Sequence, residues 1–74
     1  MKSIYKESYK NLGLNIAFYR KKKGYTQFQL SELIDIDRSH MSAMELGNVG
    51  ISLDVIFALC EKLEISPKEL FDFR

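Results

Sequence analysis

The chain reads as an all-α protein, a compact bundle of about five short helices. Three observations predict this. Apolar residues recur at helical spacing and nowhere alternate cleanly with period two, so no strand is expected. Breaks in the spacing come often, at Gly24, Asp35–Asp37, Gly47–Gly50 and Ser66-Pro67, and carry residues suited to helix ends. Finally, 74 residues, 46% hydrophobic and 28% charged, suit one globular domain over 1–74 and are too apolar for a disordered chain.

The first helix spans about Ser8 to Lys23. Leu12, Ile16 and Tyr19 fall at i, i+4 and i+7, and Gly24 supplies a C-terminal stop. Gly13 is out of place there, since an interior glycine costs ~1 kcal/mol against alanine. Thr26 caps a second helix that buries Leu30 and Ile34, while Phe28 and Leu33 lie off that stripe and do not both fit the core. Asp37 is the expected cap of a third helix, Arg38 to Leu46, closed by Gly47. Ser52 caps a fourth, in which Leu53, Ile56, Leu59, Cys60 and Leu63 form a wide apolar face. Ser66, with Pro67 at the first helical position, starts a short fifth helix through Leu70 and Phe71.

Composition excludes several classes. One cysteine, Cys60, rules out an internal disulfide, and with His40 as the single histidine a structural zinc site is excluded too; no metal or other cofactor is expected. The longest apolar run, Val55 to Cys60, has six residues against the roughly 18 that span a bilayer, and no hydrophobic stretch follows Lys2 as in a signal peptide. A cytoplasmic protein without a membrane partner is expected, and a lone thiol suits that compartment. No small-molecule ligand is evident. So small a fold hides only about 60% of the surface its unfolded chain exposes, which makes self-association the expected supplement to stability.

The net charge of +1 hides an asymmetry. Residues 1–25 hold Lys2, Lys6, Lys10, Arg20, Lys21, Lys22 and Lys23 against Glu7 alone, a net of +6. Residues 26–50 hold Arg38 against Glu32, Asp35, Asp37 and Glu45, a net of −3, and the remainder is −2. Such a chain either presents one cationic side to a polyanion or carries a solvated charge run.

Thr26 to Gly47 is the informative stretch. Its two short helices are separated by Asp35, Ile36 and Asp37 alone, which forces a sharp angle. Asp35 must end the earlier helix in a left-handed turn, which aspartate tolerates better than most residues, and Ile36 plugs the turn into the core. Two helices locked this way are what a helix-turn-helix requires. At about 100° per residue from Arg38, Met41 falls at about 300° and Met44 at about 240°, so the core lies near 270°. The opposite face holds Ser39, Leu46, Ser42 and Ala43, bordered by Arg38 and His40. Small residues let a backbone approach base edges and a long cation reaches guanine; a solvated face is usually richer in Lys and Glu.

The stretch GYTQFQLSELIDIDRSHMSAMELGN, preceded by LGLNIAFYRKKK and followed by LCEKLEISPKELF, resembles the Cro/C1-type (XRE-like) helix-turn-helix regulators, whose fold is the lambda repressor-like DNA-binding domain. Arg20, Thr26-Gln27, Leu30, Ile36, Glu45, Gly47, Leu63 and Leu70-Phe71 all stand at the family's spacing. The resemblance implies a motif over about 26–47 and a structural ion pair between Arg20 and Glu45; Glu45 also sits at the edge of the buried face, where an unpaired carboxylate is costly. It implies base contacts by Arg38, Ser39, Ser42 and Ala43, with Arg38 going to guanine or to phosphate. Phosphate contacts fall on Thr26 and Gln27 at the second helix start, on Asn48 and Lys23, and on His40, whose other role is a solvent-exposed surface histidine. Family members pair through the fourth and fifth helices, which points to 66–74 as a dimerisation segment with Leu70, Phe71 and Phe73 at the interface; Phe71 fits packing within its own chain equally well.

Four departures stand out. Ser31 replaces a usual alanine, Asp35 and Glu64 stand where glycines are frequent, and the loop Asn48 to Ile51 is uncharged where some relatives carry basic residues. The expected function is a DNA-binding transcriptional regulator, a homodimeric repressor of phage or mobile-element type acting on double-stranded DNA at a near-palindromic operator. The alternative is a protein-interaction module that keeps the fold without the DNA contacts. Catalysis is not expected, since the sequence has no carboxylate cluster or glycine-rich phosphate loop.

Overall fold

The computed structural model describes residues 3–73. Its helices run in the order α1 (Lys6–Lys23), α2 (Gln27–Leu33), α3 (Arg38–Glu45), α4 (Leu53–Leu63) and α5 (Pro67–Leu70), with no strand among the described residues. The all-α class and the five helices match the apolar spacing. α1 begins two residues before Ser8, and α3 stops at Glu45 with Leu46 as its C-cap.

Side chains start three of the helices. Thr26 Oγ1 accepts from the Gln29 amide at 3.0 Å while the Thr26 amide donates to Gln29 Oε1 at 2.9 Å, so two otherwise unpaired amides are satisfied reciprocally. Ser66 and Glu69 repeat this at α5, and Ser52 Oγ accepts from the Val55 amide at 3.2 Å. Asp37 differs from expectation: it holds the extended N-cap backbone, but its carboxylate accepts no capping bond.

Every helix feeds one core, built from Leu12, Ile16, Leu30, Met41, Met44, Ile56, Leu59, Cys60, Leu63 and Leu70. Ile34 and Ile36 pack against it from the α2–α3 turn. Asp35 has φ 58°, the left-handed turn expected of it, and Glu64 adopts φ 56° after α4. Ser31 is buried and donates its hydroxyl to the Phe28 carbonyl at 2.8 Å, which satisfies a polar group in an apolar seam.

Gly13 is explained by its neighbours. A methyl group on it would overlap the carbonyl oxygens of Met44 and Glu45, so only glycine lets α1 lie against the end of α3. Gly47, at φ 74°, does the same from the other side, where a Cβ would lie 2.6 Å from Lys10 Cα.

Two assignments are corrected. Leu53 is 66% exposed. As the first residue of α4 it lies at the open end of the stripe that Ile56 to Leu63 bury, and it lines a surface cavity with Tyr5, Phe71 and Phe73. Leu70 is 0% exposed: its side chain fills the core of its own chain and is not available to a second copy. Phe71 and Phe73 remain 45% and 39% exposed. Asn15, buried on α1, holds this terminus in place by donating to the carbonyls of Leu70 at 2.8 Å and Asp72 at 3.1 Å. Neither Phe28 nor Leu33 enters the core.

Candidate nucleic-acid interface

Met41 and Met44 are wholly buried, which fixes the rotation of α3 about its axis. Arg38, Ser39, His40 and Leu46 are therefore exposed, with Ser42 and Ala43 half-buried at the margin of the same face. The surface has one long cation, two hydroxyls and otherwise small or apolar groups, the chemistry that suits base edges and thymine methyls.

Behind this face lies a continuous polar network. Arg20 Nε contacts Glu45 Oε2 at 2.6 Å and its Nη2 contacts Oε1 at 3.0 Å, a bidentate ion pair buried between α1 and the end of α3. The third guanidinium nitrogen donates to the Tyr25 carbonyl at 2.9 Å. Gln27, at the first position of α2, donates its Nε2 to the same Glu45 Oε1 at 2.9 Å. Gln27 Oε1 in turn accepts from Arg38 Nη1 at 3.2 Å. The chain Arg20–Glu45–Gln27–Arg38 thus joins three helices and ends on the exposed arginine. No buried side-chain nitrogen or oxygen among the described residues lacks a partner. Sequence reasoning identified all four residues but not the two links through Gln27. One clue was available: a buried carboxylate has about four acceptor sites and an arginine fork fills only two, so a further donor was to be sought nearby.

The remaining candidates are placed differently. Thr26 is exposed, but its hydroxyl is occupied by the capping bond. Asn48 is exposed on the turn after α3, its amide donating to the Ala43 carbonyl at 3.0 Å. Lys23 Nζ pairs with Glu64 Oε1 at 2.8 Å, and each holds the other charged: the hydrogen bond raises the lysine above its usual range and lowers the carboxyl below its own. Lys23 would have to leave Glu64 to meet a phosphate. Burial, helped by the charge of Glu69, pushes the Cys60 thiol up, away from the nucleophilic thiolate. Among the described residues no group of His, Cys, Asp and Glu is placed to hold a metal ion, and no helix is long and apolar enough to cross a membrane.

Comparison with known proteins places this geometry among relatives. Residues 13–72 match a helix-turn-helix domain family. The chain is 31% identical over 61 residues to the competence pilus inhibition repressor of Acinetobacter baylyi, covering 82% of the chain and 56% of that protein. It is 31% identical over 55 residues to the antitoxin PezA of Streptococcus pneumoniae, covering 74% of the chain and 35% of that protein. The chain therefore spans about half the length of one of these curated relatives and about a third of the other. Among solved structures, the restriction-modification controller protein C.AhdI of Aeromonas hydrophila superposes with a TM-score of 0.84 at 34% identity, covering 88% of this chain and 98% of that one.

Proposed function

The chain belongs to the XRE-type helix-turn-helix family of DNA-binding transcription regulators, and from that premise we propose that it is a dimeric repressor of phage or mobile-element type. Its target is a near-palindromic operator in double-stranded DNA, which makes the cytoplasm its place of action. The motif over 26–47 reads the major groove, and the exposed part of 66–74, Phe71 and Phe73, contributes to pairing with a second copy. The observation that carries this reading is the burial of Met41 and Met44, which turns Arg38 and Ser39 outward. Arg38 is the guanine reader, Ser39 and Ser42 give short hydrogen bonds and Ala43 meets a thymine methyl. Gln27 has a double role, touching phosphate from the start of α2 while its side-chain oxygen steadies Arg38. The relatives support the regulatory class by name, one being a repressor and another a controller protein.

Selection of bound sequences from random duplex DNA tests the reading. The expected result is a two-fold symmetric consensus with half-sites about one helical turn, ~34 Å, apart. Arg38→Ala is expected to cost ~1–3 kcal/mol on that consensus and to relax preference at one base pair per half-site. An equal loss on consensus and random duplex would overturn the role given to Arg38, and a consensus without symmetry would overturn the dimer.

A further inference from the structure

The turn that follows α3 carries no charge from Asn48 to Ile51, yet it does not stand alone. A Cβ on Gly47 would lie 2.6 Å from Lys10 Cα and 2.7 Å from its amide nitrogen, and one on Gly50 would lie 3.8 Å from Tyr9 Oη. The turn is therefore laid directly on the first turns of α1. Lys6 and Lys10 stand there one helical turn apart, both exposed, and neither has an ion pair or side-chain hydrogen bond among the described residues. Glu7, also exposed, is the one acid on this turn and is bonded to neither.

We propose that Lys6 and Lys10 form a second phosphate-binding point, supplying from α1 the positive charge that the turn after α3 lacks. The inference rests on the DNA-binding reading above and extends it to residues outside the motif. Lys6, Lys10, Gly13, Ala17 and Lys21 follow one another at spacings of four, three, four and four, a single row along α1. The middle of the row is small, and at Gly13 it receives the end of α3. Its ends are cationic. From Lys6 to Lys21 the helix rises ~22 Å, against a major groove ~12 Å wide, so the row is long enough to reach past both walls of the groove. The Lys21 end leads through Gly24 into the start of α2, the Tyr25 amide donating to the Arg20 carbonyl at 3.1 Å. Lys10 lies against Gly47, next to Asn48, and from there the Lys6–Lys10 end is proposed to meet the opposite strand. Lys6, Lys10 and Lys21 are three of the seven cations of residues 1–25, in a chain whose reading helix has a single one.

The test is the salt dependence of binding to a random-sequence duplex, with wild type compared to Lys6→Ala/Lys10→Ala. Each lost phosphate contact is expected to flatten the plot of log affinity against log salt by about 0.9, so the double variant should lose about 1.8 from the slope. Lys6→Arg/Lys10→Arg should keep the wild-type slope. Lys62→Ala/Lys68→Ala, which removes equal charge from α4 and α5, should keep it too. An unchanged slope in the first variant, or an equal loss in the α4–α5 control, overturns the proposal while leaving the regulator reading intact. Wild-type protein that shows no salt-dependent binding overturns both.

Discussion

The α1–α3 junction and the edge formed by the ends of α1, α4 and the C-terminal residues use opposite means of construction. At the junction, two glycines bring backbones into contact, and the buried ion pair is extended by bonds to the Tyr25 carbonyl and from Gln27. At the other edge, Tyr5, Leu53, Phe71 and Phe73 line an open cavity of about 380 Å³ with few polar groups. The first region is finished within one chain, with backbones in contact and its buried charges paired. The second leaves apolar surface that one chain does not cover, of the kind that a second copy covers in an oligomer. The proposed reading of base edges needs rigidity in the first region, whereas the proposed self-association needs only area in the second.

The largest expected effect tests that rigidity. Glu45→Ala leaves the Arg20 guanidinium buried with the Tyr25 carbonyl as its remaining partner, and should cost about 3–5 kcal/mol in urea unfolding. Replacing both charges, Arg20→Met with Glu45→Leu, should recover most of that stability, because no unpaired charge remains. The double variant should nevertheless lose base preference at the Arg38 position, since Gln27 no longer has an acceptor to hold it. Full discrimination by the double variant would separate the network from reading.

Gly13→Ala comes next. The added methyl meets backbone carbonyls that cannot swing aside, so about 2–3 kcal/mol of destabilisation is expected by the same measurement. A neutral result would show that α1 shifts freely over α3 and would erase the contrast with the second edge. There, Phe73→Ser should barely change protomer unfolding but weaken self-association about tenfold in sedimentation, the equivalent of about 1–2 kcal/mol.

How much of this was legible in the sequence follows the same division. Periodicity on one helix is local arithmetic, so the inward turn of Met41 and Met44 and the caps at Thr26, Ser52 and Ser66 were readable from spacing. The reason for Gly13 was not, because the atoms that exclude a side chain there belong to Met44 and Glu45 on another helix. Leu53 and Leu70 were misplaced for a related cause: both are apolar residues near helix ends, where periodicity says which side a residue faces but not whether another element covers it. Asn15 gave no signal, since its partners are backbone carbonyls of the C-terminal segment. On α3 the outward placement of Arg38 and Ser39 was legible from spacing, while the bonds through Gln27 depend on how three helices meet.

The smallest effects concern the two left-handed non-glycine positions among the described residues, one in the α2–α3 turn and one after α4. Asp35 and Glu64 adopt nearly the same φ, 58° and 56°, where a side chain costs energy that glycine avoids. Asp35→Gly should stabilise the fold by roughly 0.5–1 kcal/mol, a rise in Tm of roughly 4 °C, and removes an acid from the turn beside the reading helix. Glu64→Gly relieves the same strain but gives up the exposed pair with Lys23, so its rise in Tm should be smaller at low salt. Screening weakens that pair, and in high salt the two variants should converge. Convergence would mean that the two turns differ only by one surface charge pair. A persistent gap would mean that the two turns differ in backbone strain, the larger rise marking the more strained position.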